Sequence, residues 1–314
     1  MRICWIGNHE EGLAAFAQTA EGGHITGFIT LDDEAFAKRS AGSRDYGSIC
    51  EQYGIPVFAV DTIKGEKAYE ILKEQAPDLL VVMGWSEILP ARLLEIPTVG
   101  TVGTHAALLP HNRGSAPINW SLIRGEKETG NTLMWLSAEV DAGEIADQRA
   151  FPITIFDTCK TLYDKVAETN AEMLASLIEA LERGERPVLP IKNESDEEIL
   201  PRRRPKDGLI NWEQGADAVY DFIRALTIPY PGAFTFLKGK KYLLWEAMVL
   251  PLESKEAPGT IVGTAYGFGE HGCALCVATK DRVIVVTMLG DEEGKLICGK
   301  ELYGLQLQGR FENA

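Results

Sequence analysis

The sequence predicts an α/β protein: a Rossmann-like, mostly parallel sheet with helices on both faces, followed by a smaller C-terminal β-barrel-like domain. The run Asp78-Leu-Leu-Val-Val-Met83 is continuously apolar after its first residue, as expected of a strand that is buried on both faces. Strand-like and helix-like segments alternate before it and after it, which favours a parallel sheet covered by helices. From residue 230 onwards, short strand-like runs recur between glycine and proline turns, a pattern typical of a small barrel or sandwich.

The strands of the first part are predicted where short apolar runs end at turn residues. They lie at residues 2–6, 24–30, 56–60, 78–83, 98–104, 133–136 and 145–153. The helices are predicted where apolar residues recur at helical spacing, at residues 13–19, 48–53, 67–75, 116–124 and 161–181. Pro117 lies near the start of the fourth helix, and Arg183-Gly-Glu-Arg-Pro187 ends the fifth.

A change of composition divides the chain. An acidic run passes into Pro201-Arg-Arg-Arg-Pro205, so we predict a first domain at 1–190, a linker at 191–208 and a β-rich domain at 209–314. The second domain begins with a helix at 215–226. Its strands are predicted at 233–237, 242–250, 259–265, 274–278 and 283–288.

Charge and composition limit the possible functions. The chain has 314 residues and a net charge of −15, so a nucleic-acid partner is not expected. Its apolar runs are too short to span a bilayer and it begins without a signal peptide, so we predict a cytoplasmic protein without a membrane partner. The six cysteines are scattered and are predicted to be free thiols.

Two short patterns resemble known sites but are better explained by structure. The turn 7–12 lacks the spacing of a phosphate-binding loop and carries two acids where a phosphate would lie. Cys273 and Cys276 lie at the start of a predicted strand. If the strand includes both, these positions, three apart, point to opposite faces. We therefore predict no metal site.

One histidine lies where α/β proteins place their ligands. His105 is predicted just past the carboxyl end of a strand, and Asp141 follows the next strand. An imidazole beside a carboxylate suits proton transfer at a nucleophile. The spacing alone leaves a structural histidine and a catalytic one about equally open. His9 also lies at a sheet edge, but a lone histidine is more often structural or solvated than catalytic.

A second feature is the cluster Arg202, Arg203 and Arg204. It has two interpretations, a solvated linker face or a clamp for a phosphate group. The spacing alone favours the solvated face.

Together these residues resemble the formyltetrahydrofolate-dependent formyltransferases. The matching motifs are His105-x-x-Leu-Leu-Pro-x-x-Arg-Gly114, Ala116-Pro117, Gly125-x4-Gly130-x-Thr132 and Asp141-x-Gly143. In the second half, Pro201-Arg-Arg-x-Pro205, Asn211-Trp212 and Pro229-Tyr-Pro-Gly-Ala-Phe234 look like the formyltransferase domain that acts on UDP-linked 4-amino-4-deoxy-arabinose, with Tyr230 in place of a tryptophan. The resemblance is most extensive over residues 1–250.

The resemblance implies a mechanism and one departure from it. His105 is expected to act as general base on the attacking amine, and Asp141 to orient it. The family places an asparagine two residues before the histidine as an oxyanion donor, where this chain has Gly103. We expect another donor to substitute: Thr104, Asn112, a main-chain N–H or a water above Gly103.

The ligands that the resemblance implies are 10-formyltetrahydrofolate as formyl donor and an amine as acceptor. The folate site carried over comprises Met83, Gly84, Trp85, Leu89, Val140 and Asp141. The acceptor is expected to be an amino sugar linked to UDP or dTDP, bound by His9, Arg202, Arg203, Arg204 and Tyr230.

Other assignments stay open at this point. They are a methionyl-tRNA or other amine formyltransferase, and an inactive homologue that binds folate and nucleotide sugar. The resemblance also implies that the chain can form a homodimer.

Overall fold

The computed structural model describes residues 1–38, 45–190, 199–267 and 272–313. They form two compact units. The first comprises residues 1–114, 128–152 and 163–200, and the second comprises 115–127, 153–162 and 201–314. Of the predicted linker, residues 191–198 lie outside the described residues, and the predicted domain limits stay a prediction.

The first unit is built on a seven-stranded sheet. Its strands are β1 Ile3–Ile6, β2 Ile25–Leu31, β3 Val57–Val60, β4 Leu79–Val82, β5 Gly100–His105, β6 Glu128–Trp135 and β7 Ile145–Pro152. Their order is β3-β2-β1-β4-β5-β6-β7. The first five are parallel, whereas β6 and β7 are antiparallel to their neighbours. The continuous apolar run of the sequence is β4, the central strand, and all four of its residues are buried.

Helices cover both faces of this sheet. They are α1 Leu13–Glu21, α2 Asp33–Ala37, α3 Asp45–Tyr53, α4 Glu66–Gln75, α5 Ala91–Leu94 and most of α7, Cys159–Glu182. One core contains Trp5, Val81 and Val102 together with residues of α1, α3 and α7. The other core contains Ile6 and Val82 together with residues of α4 and α5. The alternation of strand residues between the two cores follows from the twofold period of a strand.

The second unit is an antiparallel sheet with helices. Its strands are β8 Ala233–Leu237, β9 Lys240–Glu253, β10 Ile261–Tyr266, β11 Cys273–Ala278, β12 Arg282–Gly290 and β13 Leu296–Cys298. Its helices are α6 Pro117–Ile123, α8 Ala216–Leu226 and α9 Gly299–Gly304. Five strands follow the order β10-β11-β12-β9-β8, and β13 pairs with β12. The predicted fold class, a Rossmann-like domain followed by a smaller β-rich domain, is confirmed.

Candidate active site

His105 is the last residue of β5, so it lies at the carboxyl edge of the parallel part of the sheet. The sequence placed it just past the strand. His105 is 8% exposed, so its ring is largely shielded from solvent. A titratable ring at this edge faces the region where open α/β sheets bind their ligands.

Asp141 reaches His105 through a loop that turns back along the sheet. Because β6 is antiparallel to β5, its last residue Trp135 lies opposite Val102, near the start of β5. The chain then returns towards His105, with Asp141 in the left-handed conformation at φ 51°. Asp141 Oδ1 lies 3.6 Å from His105 Nδ1. Asp141 Oδ2 accepts a hydrogen bond of 2.9 Å from the main-chain N–H of Gly114. The structure thus brings together the two residues that the sequence singled out.

The other ring nitrogen of His105 faces a main-chain carbonyl. His105 Nε2 lies 2.9 Å from the carbonyl oxygen of Asn112, which is 8% exposed and adopts φ 55°. The sequence offered no signal for this contact, because it joins a side chain to a backbone group seven residues later.

The position that carries an asparagine in the related enzymes is enclosed here. A Cβ atom on Gly103 would lie 3.0 Å from both Cδ atoms of Leu136 and 3.0 Å from the carbonyl oxygen of Val82. Leu136 therefore occupies the space in which a water above Gly103 was expected. Thr104 alternates with Gly103 and His105 along β5, so it lies on the opposite face of the sheet.

Sequence reasoning missed Glu11 in the turn after β1. The turn forms a short 3-10 helix, Glu10–Gly12, and Glu11 is half-buried there. Burial raises the pKa of Glu11 above its usual value of 4.5, while attraction to His9 and His105 opposes the rise. A carboxylate thus lies within electrostatic range of both histidines. The visible signal was an acidic residue at a strand-to-helix turn on the ligand edge.

His9 belongs to the same turn and is fixed by main-chain contacts. Its N–H donates to the carbonyl of Gly84 at 3.0 Å, and its carbonyl accepts from the hydroxyl of Tyr46 at 2.8 Å. Gly84 adopts φ 65°, and a Cβ there would meet the His9 carbonyl oxygen at 2.8 Å. This close approach needs glycine at position 84.

The residues carried over for folate differ in accessibility. Met83 and Leu89 belong to the two cores and are 1% and 7% exposed. Trp85 is half-buried, and Val140 is 43% exposed. An apolar contact with a flat ring is therefore available from Trp85 and Val140, whereas Met83 and Leu89 could contribute only main-chain groups.

Asn8, in the turn after β1, supports a polar ligand in this region. Its main-chain N–H donates to the carbonyl of Gly84 at 2.9 Å. Its side chain is fully buried, and both amide atoms lack a hydrogen-bond partner among the described residues. A buried amide without partners costs free energy that a ligand or water can recover. This edge of the sheet therefore fits a ligand with polar groups, such as a folate.

The three arginines belong to the second unit and differ from one another. The Arg203 guanidinium lies 4.9 Å from the ring centre of Trp120 and 5.4 Å from that of Phe222. Burial lowers the pKa of Arg203, and Asp207 partly offsets this effect. Arg202 and Arg204 are exposed. Arg203 is therefore largely engaged within the protein, and Arg202 and Arg204 are the side chains of the cluster that solvent reaches.

Tyr230 is half-buried in the second unit, just after the cis peptide bond between Ile228 and Pro229. Its main-chain N–H donates to the carbonyl of Thr227 at 2.9 Å. It follows α8 directly, in the segment that leads into β8.

The two cysteines that the sequence singled out lie in the second unit. Cys273 and Cys276 lie in β11 as predicted, the first buried and the second half-buried. Among the described residues, no group of three histidine, cysteine or acidic side chains could hold a metal ion. No helix in the described part of the chain is long and apolar enough to cross a membrane.

The fold and this pair of residues define a class of enzyme. The formyl transferase family matches residues 7–178, and the C-terminal domain of formyl transferases matches residues 203–305. The chain therefore belongs to the formyl transferase family, and the resemblance seen in its motifs is confirmed. It is an N-formyltransferase, and formyltetrahydrofolate is the formyl donor of its family.

Individual proteins of known sequence or structure are also similar to this chain. The chain is 36% identical over 263 residues to a methionyl-tRNA formyltransferase of Citrifermentans bemidjiense, covering 83% of this chain and 79% of the relative. Its fold is similar to HypX of Aquifex aeolicus in complex with tetrahydrofolic acid, with a TM-score of 0.67 and 21% identity. That match covers 99% of this chain but 48% of HypX, so the chain spans about half the length of that protein.

A sugar N-formyltransferase from a Shewanella species is also similar, with a TM-score of 0.59 and 21% identity. The match covers 78% of this chain and 97% of that one. At this level of identity the two structural matches show the fold alone.

Proposed function

We propose that the protein transfers the formyl group of 10-formyltetrahydrofolate to the amino group of a nucleotide-linked amino sugar. The observation that carries this proposal is the pairing of His105 Nδ1 with Asp141 Oδ1 at 3.6 Å, at the carboxyl edge of the sheet. The acceptor is a 4-amino-4-deoxy or 4-amino-4,6-dideoxy sugar on UDP or dTDP.

The chemistry needs a group that takes a proton from the attacking amine. The folate supplies the formyl group when it is bound. The side chains of His105 and Asp141 are 8% and 14% exposed, so the proton of the amine would be taken up in a largely dry environment. General base catalysis of this kind typically contributes about 10²–10⁴-fold in rate. We propose that Trp85 and Val140 provide apolar contacts for the pterin and that His9, which lies within electrostatic range of Glu11, contacts the sugar.

The choice of a nucleotide sugar is supported by charge. A protein with a net charge of −15 repels the phosphate backbone of a nucleic acid, whereas one diphosphate needs only a local pair of cations. The exposed Arg202 and Arg204 supply such a pair. We propose that they hold the diphosphate, and that Tyr230 lines the same subsite.

A second candidate acceptor is methionyl-tRNA. The 36% identical relative is a methionyl-tRNA formyltransferase, and the match covers most of both chains. The same His105–Asp141 pair would serve the methionyl amine, since the chemistry at nitrogen is the same.

One assay separates the candidates. The protein is incubated with 10-formyltetrahydrofolate and a panel of UDP- and dTDP-linked amino sugars, and the products are analysed by mass spectrometry. We expect one sugar nucleotide to gain the mass of CO. Initiator methionyl-tRNA is tested in parallel for formylation and by filter binding. If methionyl-tRNA is formylated and no sugar is, the acceptor is methionyl-tRNA and the nucleotide-sugar proposal is wrong.

An inactive homologue is the third outcome of this assay. Such a protein would bind folate and nucleotide sugar, as judged by calorimetry, and yield no formylated product with excess enzyme. We further propose that the enzyme acts in the cytoplasm and forms a homodimer, which analytical ultracentrifugation tests.

A further inference from the structure

Both nitrogens of the His105 ring face oxygen atoms. Nε2 lies 2.9 Å from the carbonyl oxygen of Asn112, and Nδ1 lies 3.6 Å from a carboxylate oxygen of Asp141. A carbonyl oxygen can only accept a hydrogen bond, so the Nε2 atom must carry a hydrogen to make this contact. The nitrogen that remains to change its protonation is Nδ1.

The position of the Asn112 carbonyl is fixed by the turn that contains it. Asn112 adopts φ 55°, a conformation that asparagine tolerates better than most residues. On one side of it, the N–H of His111 donates to the carbonyl of Leu108 at 3.0 Å. On the other side, the carbonyl of Arg113 accepts from the N–H of Leu200 at 2.7 Å. The carbonyl is thus held by the fold, and a main-chain group cannot withdraw as a side chain can.

The same turn also positions Asp141. The N–H of Gly114 donates to Asp141 Oδ2 at 2.9 Å, which leaves Oδ1 directed at His105. The distance of 3.6 Å between Oδ1 and Nδ1 exceeds that of a hydrogen bond. Nδ1 and Oδ1 therefore lie side by side with a gap between them that no direct hydrogen bond closes.

We propose that Nδ1 of His105, and not Nε2, is the atom that takes the proton of the amine, and that Asn112 is the positioning residue that enforces this choice. A primary amine can donate one N–H to Nδ1 and a second to Asp141 Oδ1, filling the gap between them. This assignment depends on the proposed amine formylation and deepens it. It reverses the arrangement of a serine protease triad, in which the carboxylate faces the ring N–H and the distal nitrogen is the base.

The step balances in atoms and electrons. The nitrogen lone pair of the amine forms the bond to the formyl carbon, and the bond from that carbon to N10 of the folate breaks. One hydrogen leaves the amine for Nδ1, while N10 takes up one hydrogen. The products are the N-formylated amine and tetrahydrofolate. His105 regains its starting form when the proton on Nδ1 passes to N10, directly or through solvent, which accounts for the hydrogen that N10 gains.

The direct test is the tautomer of His105. The 15N chemical shifts of the ring are measured by NMR in the protein without ligands, across the titration of the histidine. We expect Nε2 to remain the N–H type throughout and Nδ1 to change from a bare to a protonated nitrogen. A neutral ring with hydrogen on Nδ1 and a bare Nε2 would overturn the assignment.

Variants at position 112 test the positioning role. Asn112→Val places a β-branched side chain where φ is positive, which should displace the carbonyl. We expect a mixture of tautomers and a lower kcat. The loss in kcat should approach the ~10²–10⁴-fold that general acid–base catalysis contributes, whereas KM for the folate should change less. Asn112→Gly keeps the conformation and should retain the Nε2–H tautomer and more of kcat. An unchanged tautomer in Asn112→Val, in a protein that folds, would contradict the role of the carbonyl.

A matched control places the same strain elsewhere. Ala76, the exposed residue that ends α4, also has a positive φ, 40°. Ala76→Val should lower stability without changing the His105 tautomer or kcat. The tautomer is read without substrate. A protein that formylates no sugar but shows Nε2–H would refute the proposed acceptor, while the tautomer of His105 and its positioning by Asn112 would stand.

The predicted use of two amine hydrogens gives an independent check. The test compound is the N-methylated form of the acceptor that the panel identifies. Its neutral amine has only one N–H, so it cannot donate to Nδ1 of His105 and to Asp141 Oδ1 at the same time. We expect kcat for the N-methylated acceptor to fall more in the parent enzyme than in Asp141→Asn. Equal losses in both proteins would contradict the bridging arrangement.

Discussion

The side chain of Leu136 lies over Gly103. Both of its Cδ atoms are 3.0 Å from the position of a Cβ on that glycine, and Leu136 also packs against both the Val82 core and a small cluster around Met134. The related enzymes have an asparagine where this chain has Gly103. Here an apolar side chain closes that space, so the replacement donor for the oxyanion must come from elsewhere.

Gly103→Asn therefore should not raise activity by itself. The new side chain would have to displace Leu136 and approach the carbonyl of Val82, and overpacking of this kind typically costs about 1–3 kcal/mol. We expect kcat to stay equal or fall, and urea denaturation to show a less stable protein. A large gain in kcat from this single change would show that the site lacks a donor and has room for one.

A double variant tests whether Leu136 restricts the space at position 103. In Gly103→Asn combined with Leu136→Ala, the space is opened for the amide. We expect the destabilisation of the combined variant to be smaller than the sum of the two single effects, because the residues are in contact. Strict additivity would mean that Leu136 does not restrict position 103.

The two roles within the arginine cluster predict different phenotypes. Arg203→Ala removes a guanidinium that packs on Trp120 and Phe222, so we expect a loss of stability of about 1–2 kcal/mol by denaturant unfolding. Arg202→Ala removes an exposed side chain and should leave stability within about 0.5 kcal/mol of the parent.

Kinetics test the proposed phosphate contact at Arg202. We expect Arg202→Ala to raise KM for the nucleotide sugar and to leave KM for the folate unchanged. Arg183→Ala is the control, because Arg183 is exposed and pairs with Glu185 at 3.1 Å. Equal effects of Arg202→Ala on both substrates would argue against a contact with the diphosphate.

Glu11 gives a prediction about pH and stability. Its pKa in the folded protein is raised by burial above the usual 4.5, so the folded state holds this proton more tightly than the unfolded chain does. That contribution to stability is complete below about pH 4.5 and is lost as the pH rises through the raised pKa. Glu11→Gln should therefore match the parent in acid and exceed its stability near neutral pH.

Thermal unfolding of the two proteins at both pH values measures this difference. Glu10→Gln, a change at the exposed neighbour, is the control and should differ little from the parent at either pH. A Glu11→Gln protein that loses stability at neutral pH would mean that the charged carboxylate is favourably paired in the fold.

Much of the first unit could be predicted because its signals are local. The apolar run of β4, the helical spacing within α7 and the position of His105 at a strand end each depend on neighbouring residues only. These patterns follow from burial and from the periods of strand and helix. The placement of His105 near Asp141 was predicted from the ends of two successive strands, and the family motif implied the same pair.

The rest of the site depends on contacts between distant parts of the chain. The Asn112 carbonyl, the Leu136 side chain and the burial of Glu11 are set by how a turn and two loops fold back on the sheet. The stacking of Arg203 on Trp120 joins residues more than eighty positions apart. A charge pattern cannot separate a packed arginine from an exposed one, because only the fold decides which side chain meets an aromatic ring.

The central claim is that His105, oriented by Asp141, accepts the proton of the amine. The most direct measurement is the single-turnover rate of formyl transfer, by rapid quench with the acceptor that the panel identifies, in His105→Gln and Asp141→Asn. His24→Gln is the matched control, because His24 also faces a carboxylate, Glu182, at 3.8 Å but far from the ligand edge of the sheet. We predict that both site variants bind folate and transfer formyl ~10²–10⁴-fold more slowly, and that the control keeps the parent rate. Parent rates in His105→Gln and Asp141→Asn would contradict the account.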